Sequence, residues 1–293
     1  MKTENAQDYH HFLFPYAYNI LGSAEDAKDA VQDVLFNYLS GERNDIENVK
    51  GYLVKSVINQ SINIKNKKKR ISYGDTWLPE PVSTDFADRN SNLQEIVSYS
   101  LLILLEKLTP KERAVFILKE AYNYSHDEIA NILSGTVEQS RKLLSRAKAK
   151  LPTSESLVES KQKPPTAILE KYIHAIRGSD MKELESLLTE DIAFYADGGN
   201  TVNVYKKFAA GAHEVAEILQ YVYERYDKDL DLVSSVINHQ PALLYYRDEK
   251  LIACQVFSIA GDRIYQIGNV LDPDKLRLMD NTEFKHSYLS ETH

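Results

Sequence analysis

The chain has 293 residues but only one cysteine, one tryptophan and three methionines. The lone Cys254 excludes an internal disulfide, and its place in the apolar run 251–259 marks it as a buried thiol. Long hydrophobic stretches are missing. The longest purely aliphatic run, Leu101 to Leu105, is far shorter than the roughly 20 residues a bilayer helix needs. The opening MKTENAQDYHH shows no basic segment followed by an apolar one, so no secretory leader is expected, and the chain reads as cytoplasmic and soluble, with no membrane partner. Positive charge is not in excess either. The net charge is −8, and residues 160–293 carry 15 basic against 21 acidic side chains. A protein that merely coats nucleic acid would be basic overall. Any DNA surface must therefore be local, and some acidic surface is left for a protein partner. His174, His213 and His239 are not at metal-ligand spacing, and no nucleophile–base pair stands out. No catalytic residue, metal or cofactor is expected, and the chain does not read as an enzyme.

What is present is most legible between Thr109 and Leu151. Ser125 is followed three residues later by Glu128, and Thr136 by Gln139, the spacing of a capping box at a helix N-terminus. Ser134-Gly135 lies between them, where a tight turn tolerates positive φ. Beyond Thr136, Val137, Ser140, Leu144, Ala147 and Leu151 recur at three and four residues and are expected to face a core. Arg141, Lys142, Ser145, Arg146 and Lys148 fall on the other faces. Two short helices, a turn and a basic third helix make a helix-turn-helix, and cations on its exposed face suit phosphate contact and guanine readout.

The length suits about two domains, each able to bury its own core. Residues 8–70 read as all-helical, with three amphipathic stripes separated by Gly22-Ser23 and by a polar stretch at 40–48. The third stripe runs into Lys65-Asn66-Lys67-Lys68-Lys69-Arg70. Residues 71–92 have no period and read as a linker holding the only tryptophan. Helix resumes near Leu93 and continues to 151, and a Ser-, Pro- and Lys-rich second linker spans 152–165. From 166 to 280 the pattern changes. Helices at about 166–178, 180–188 and 208–224 are expected among strands at 192–196, 202–205, 232–237, 241–247, 251–259 and 264–270, giving an α+β domain on an antiparallel, curved sheet.

Taken together, these pieces resemble an extracytoplasmic-function sigma factor, the subunit that directs bacterial RNA polymerase core to promoters. Residues 8–70 resemble sigma region 2 and 93–151 sigma region 4. Within 16–39, Asp29-Ala30-Val31-Gln32-Asp33 fits the acidic patch with which such factors grip polymerase. A helix face with Asp29, Gln32 and Asp33 offers carboxylates at i and i+4 to a basic partner. The resemblance implies that Lys65, Lys67, Lys68, Lys69 and Arg70 lie along the DNA at the −10 element, that loop 41–50 holds the pocket for a flipped base, and that the basic helix reads the −35 element. The implied partners are polymerase core and promoter DNA.

A narrower likeness follows. Trp77-Leu78-Pro79-Glu80-Pro81 resembles the linker signature of one subgroup, the SigJ-type factors with a fused SnoaL-like C-terminal cone domain. Asp197-Gly198-Gly199 and Asp272-Pro273-Asp274-Lys275-Leu276 resemble two further motifs of that subgroup, with Asn200, Thr201 and Asp272 departing from them. The implied fold is multidomain: two all-α sigma domains followed by an α+β SnoaL-like domain. The implied role of that domain is regulatory, with the Trp77–Pro81 linker expected to pack near Asp197–Gly199 or Asp272–Leu276. A cone of this kind leaves room for an unidentified small molecule. The runner-up reading is a helix-turn-helix regulator with a small-molecule-binding effector domain, but such a regulator has no use for residues 16–39 and 55–70.

Overall fold

The computed structural model describes residues 6–41, 46–69, 77–85, 93–151, 166–277 and 279. The chain divides into two units. The first takes in the described residues of 6–69, 93–97 and 101–151, and the second those of 77–85, 98–100 and 166–279.

The first unit is helical. α1 (Ala6–Leu21), α2 (Ala24–Leu39) and α3 (Val49–Lys69) pack around Leu13, Ala17, Ile20, Ala27, Val31, Leu53 and Val57, all essentially inaccessible. α1 stops at Gly22, which takes φ 72, and Ser23 opens α2 by accepting the Asp26 N–H at 3.1 Å. α4 (Tyr99–Leu105) precedes α5 (Pro110–Phe116), which continues through a π-turn at Ile117–Ala121. α6 (His126–Ile132) and α7 (Val137–Lys150) follow. Both expected capping boxes form, and Thr109 with Glu112 makes a third at the start of α5. Ser134 turns the chain with φ 51. On α7, Ser140, Ala147 and the following Leu151 are buried, while Val137 and Leu144 are half-buried.

The second unit is built on one six-stranded sheet in the order β2-β1-β6-β5-β4-β3. Its strands are β1 (Leu188–Asp197), β2 (Phe208–Ala210), β3 (Asp231–Ile237), β4 (Gln240–Arg247), β5 (Lys250–Ala260) and β6 (Arg263–Val270). α8 (Thr166–Arg177), α9 (Met181–Ser186) and α10 (Ala212–Val222) enclose a core with Tyr172, Ile176, Leu184, Leu219, Leu243 and Phe257. A last short helix, α11 (Pro273–Leu276), follows β6. Cys254 is fully buried, and burial pushes its thiol pKa up.

Three sequence expectations fail here. The sheet is mixed, because β1 pairs with β6 in parallel while every other pairing is antiparallel. Residues 202–205 form no strand. The Val202 N–H bonds back to Gly198 O at 3.0 Å and closes a turn, and the pairing partner of β1 is instead Phe208–Ala210, placed inside a helix from sequence. Gly211, at φ 96, separates that strand from α10. The 152–165 linker lies outside the described residues.

Candidate functional site

Three groups of residues carry the chemistry. The first is the outward face of α2. Asp29, Gln32 and Asp33 are all exposed, and the 69 % exposed Phe36 continues the stripe. The inward face is filled by Ala27, Ala30, Val31, Val34 and Leu35, so burial of that face turns the carboxylates outward. Asp33 accepts from Gln60 Nε2 at 3.3 Å.

The second group is cationic. On α7, Arg141, Lys142, Ser145, Arg146 and Lys148 are exposed. Lys142 pairs with Glu138 at 2.6 Å and Lys148 with Glu120 at 2.9 Å. No ion pair links Arg141 or Arg146 to a described residue, so these two guanidinium groups face solvent uncompensated. On α3 the basic run splits. Lys67 is exposed, and Lys68 is exposed but pairs with Asp26 at 2.7 Å. The Lys69 side chain and Arg70 lie outside the described residues, as do residues 42–45 of the loop expected to hold a flipped base.

Lys65 departs from its expected place along the DNA. Its side chain is 13 % exposed and points inward, where Nζ donates to Leu21 O at 2.8 Å and meets Glu106 at 3.0 Å. Arg113, fully buried, pairs with the same Glu106 and donates from Nε to Asn19 O at 2.8 Å. Both cations thus cap the carbonyl end of α1, where the helix dipole favours positive charge. Burial, with the nearby Arg113, lowers the Lys65 pKa to about 8. Burial alone would raise the Glu106 pKa, but Arg113 and Lys65 outweigh it and hold the carboxyl below its ordinary value. The cluster joins α3 to α5, and the Asn59 amide adds a bond to Ile132 O at 2.9 Å, joining α3 to α6.

The third group is a clasp in the second unit. The carboxylate of Asp197, at the end of β1, accepts the Leu78 N–H at 2.7 Å and pairs with Lys275 at 2.5 Å. Lys275 Nζ also donates to Leu78 O at 2.6 Å and stands 4.4 Å from the centre of the Trp77 ring. One ammonium therefore meets a carboxylate, a carbonyl and an indole face. Asp197 and Lys275 have side chains only 7 % exposed. Gly198-Gly199 allows the close approach behind them. Gly199 takes φ 60, and a Cβ there would run into the Asp272 carboxylate. Asp272 caps α11 by accepting the Asp274 N–H at 3.0 Å, with Pro273 in the first turn and Leu276 buried. The motifs at 77–81, 197–199 and 272–276 are thus one structural site. Leu78, Pro79 and Pro81 are buried and Glu80 is half-buried.

The clasp extends to residues that sequence reasoning missed. Tyr99 donates its hydroxyl to Pro79 O at 2.7 Å, and Gln240 accepts the Ser100 N–H at 2.8 Å. Asn238 and Asp85 hold the far end of the linker. Between α8 and the sheet, the Tyr172 and Tyr245 hydroxyls both donate to Gln255 Oε1, at 3.1 and 2.9 Å. Burial pushes the Asp227 carboxyl up to about 6. No helix among the described residues is long and apolar enough to cross a membrane.

Comparison with known proteins follows the same division. Residues 6–71 match the family described as Sigma-70 region 2, and residues 100–151 the family described as Sigma-70, region 4. The ECF RNA polymerase sigma factor SigJ of Mycobacterium tuberculosis is 24 % identical over 238 residues, covering 78 % of this chain and 76 % of the relative. A probable ECF RNA polymerase sigma factor of the same organism, SigI, is 25 % identical over 272 residues, covering 90 % of this chain and 91 % of its own length. The crystal structure of Mycobacterium tuberculosis SigJ superposes with a TM-score of 0.73 at 20 % identity, covering 93 % of this chain and 98 % of that one. That likeness extends the shared fold across both units.

Proposed function

We infer that this chain belongs to the extracytoplasmic-function sigma factors of the SigJ type, with sigma-70 regions 2 and 4 followed by an NTF2/SnoaL-like α+β domain. It directs RNA polymerase core to promoters. The observation that carries this reading is the presence in one chain of a region 2 match over 6–71 and a region 4 match over 100–151. The α2 face with Asp29, Gln32 and Asp33 supports core binding, because exposed carboxylates at helical spacing suit a basic partner helix. The uncompensated Arg141 and Arg146 support contact with the −35 element, with Lys142, Ser145 and Lys148 beside them. Within the basic run 65–70, Lys67 and Lys68 are the described cations left for the −10 element. The second unit acts as an attached regulator, not as an enzyme. It holds the Trp77–Pro81 linker through Asp197 and Lys275, and a held linker differs from one engaged in polymerase, which gives the domain a state to bias. An effector-binding regulator without a polymerase role is the weaker alternative, since it leaves the α2 face and the region 2 match unexplained.

Co-purification with polymerase core, followed by run-off transcription from the chain's own promoter, tests the reading. The expected result is core binding and initiation from a defined start. A chain that binds promoter DNA but neither binds core nor supports initiation would overturn it.

A further inference from the structure

Residues 77–85 are held in the manner of a bound peptide. The segment presents its main chain to the second unit with a period of two. The N–H groups of Leu78, Val82 and Thr84 donate to Asp197 Oδ2, Asn238 Oδ1 and Val236 O at 2.7, 3.1 and 2.8 Å. Pro79 and Pro81, between these positions, have no N–H to satisfy. The carbonyls of Leu78 and Val82 accept from Lys275 Nζ and from the Asn238 N–H at 2.6 and 3.0 Å. Ser83 forms an antiparallel bridge with Ile237.

β3 is the outer strand of the sheet, so one row of its backbone groups is left for another chain segment. Val82–Asp85 occupy the C-terminal end of that row, at Ser235–Ile237. At the last described residue of the segment, the Asp85 carboxylate takes the Val236 N–H at 2.8 Å and the Ser235 hydroxyl at 2.7 Å, in the place of a backbone acceptor. The two-residue turn between β3 and β4 also serves the segment. Asn238 and His239 both have positive φ, 48 and 63, as a tight hairpin turn requires. Asn238 bonds Val82 twice, and the His239 N–H donates to Thr84 Oγ1 at 2.8 Å.

We propose that the second unit is a receptor for an extended peptide, and that residues 77–85 are its resident, detachable ligand. The edge of β3, the Asn238–His239 turn and the Asp197–Lys275 pair form one track. It recognises an aromatic residue, a buried leucine, prolines at alternate positions, and a strand-forming Val-Ser-Thr ended by aspartate. Strand addition supplies affinity through main-chain bonds, and the buried Leu78 and the Asp85 carboxylate supply register. The two prolines keep the free segment extended, so little conformational freedom is lost on docking. This inference deepens the reading of the second unit as a regulator. Its test needs no polymerase, so the two can fail separately.

The experiment uses the full chain and a labelled nonapeptide with the sequence of residues 77–85. In the unsubstituted chain the tethered copy competes at an effective concentration on the order of millimolar, and added peptide binds weakly. Leu78→Asp expels the tethered copy, and the expected result is a gain in apparent affinity of about tenfold or more, lost again when Asn238→Ala is added. If hydrogen exchange shows residues 78–84 released in Leu78→Asp and the peptide binds no better than to the unsubstituted chain, the proposal is overturned. A gain that survives Asn238→Ala overturns it as well. Asn238→Ala alone guards against misfolding of the first variant. Exchange at Val82 and Thr84 should quicken by about tenfold, the equivalent of one lost hydrogen bond, with β4, β5 and β6 unchanged. Unchanged exchange at both amides would also overturn the proposal.

Discussion

Lys65 and Glu106, 41 residues apart, form an ion pair at 3.0 Å in which the carboxylate also serves Arg113. Two cations thus share one anion, and the cluster keeps a net positive charge inside the first unit. The two sides of this pair are unequal. Glu106→Gln takes from both cations the carboxylate they share and is expected to cost about 3 kcal/mol, at the lower end for a broken buried pair because the carboxyl is 25 % exposed. Lys65→Met fills similar space without a charge to desolvate and is expected to change stability by less than about 1 kcal/mol. Urea unfolding at pH 7 separates the two. The Lys65 pKa near 8 lies below its unfolded value of 10.5, so between these values the unfolded chain binds more protons. The contribution of this group to stability therefore rises with pH across that window, and the rise should be missing from Lys65→Met.

Reversing charge on α2 should break core binding and leave the fold intact. Asp29 and Asp33 are exposed, and contacts made by charged hydrogen-bonding groups are worth about 1.5–3 kcal/mol each. Asp29→Lys with Asp33→Lys is expected to abolish co-purification with polymerase core without altering helix content by circular dichroism. Wild-type recovery of core by the double variant would remove this face from the polymerase interface.

Arg141 and Arg146 should differ in kind. Arg141→Ala is expected to cost about 1–3 kcal/mol of discrimination at one base of the −35 element, and Arg146→Ala to weaken all sequences and lower the salt slope by about one unit. Lys148 is already paired with Glu120, so Lys148→Ala should shift the slope less than Arg146→Ala. Titrations against promoter variants at several salt concentrations check all three. Uniform loss for Arg141→Ala would reduce that residue to a phosphate contact.

The clasp should behave as one element. Trp77→Ala removes the indole over Lys275, and Lys275→Met removes the cation that bridges Asp197 to Leu78. Both are expected to shift run-off transcription in the same direction as deletion of residues 160–293. Asp274→Ala, which leaves the Asp197–Lys275 contacts in place, should shift it less. Identical transcription from all of these proteins and the unsubstituted chain would discard the regulatory role of the second unit.

Local rules made much of this molecule legible. Ser125 with Glu128 and Thr136 with Gln139 announce their helices because a capping box is complete within four residues. The core faces of α2 and α3 follow from helical period alone. The meeting of Trp77 and Leu78 with Asp197 and Lys275 was expected from motif resemblance, not from any local pattern. What escaped was non-local. Lys65 belongs to a basic run by composition, and only the arrival of Glu106 and Arg113 from later helices turns it inward. The parallel pairing of β1 with β6 joins strands at opposite ends of the domain, and alternation within either strand is silent about its neighbour. Asn238, Gln240 and Asp85 carry no motif, and their role depends on a sheet edge that exists only once six strands have assembled.

Leu78 gives the clasp more than a buried side chain, because its N–H and C=O close over the Asp197–Lys275 pair from both sides. Without that main chain, two charges with side chains now 7 % exposed would lose a donor and an acceptor together, and water would reach them. The domain is therefore a softer fold without its linker than with it. Free-energy coupling between two binding events is reciprocal. If polymerase draws the linker away, it loosens β3 and the 197–199 turn by the same amount that their grip opposes polymerase. The melting temperature of the C-terminal domain then becomes a gauge of how much linker has left, readable in the absence of any transcript.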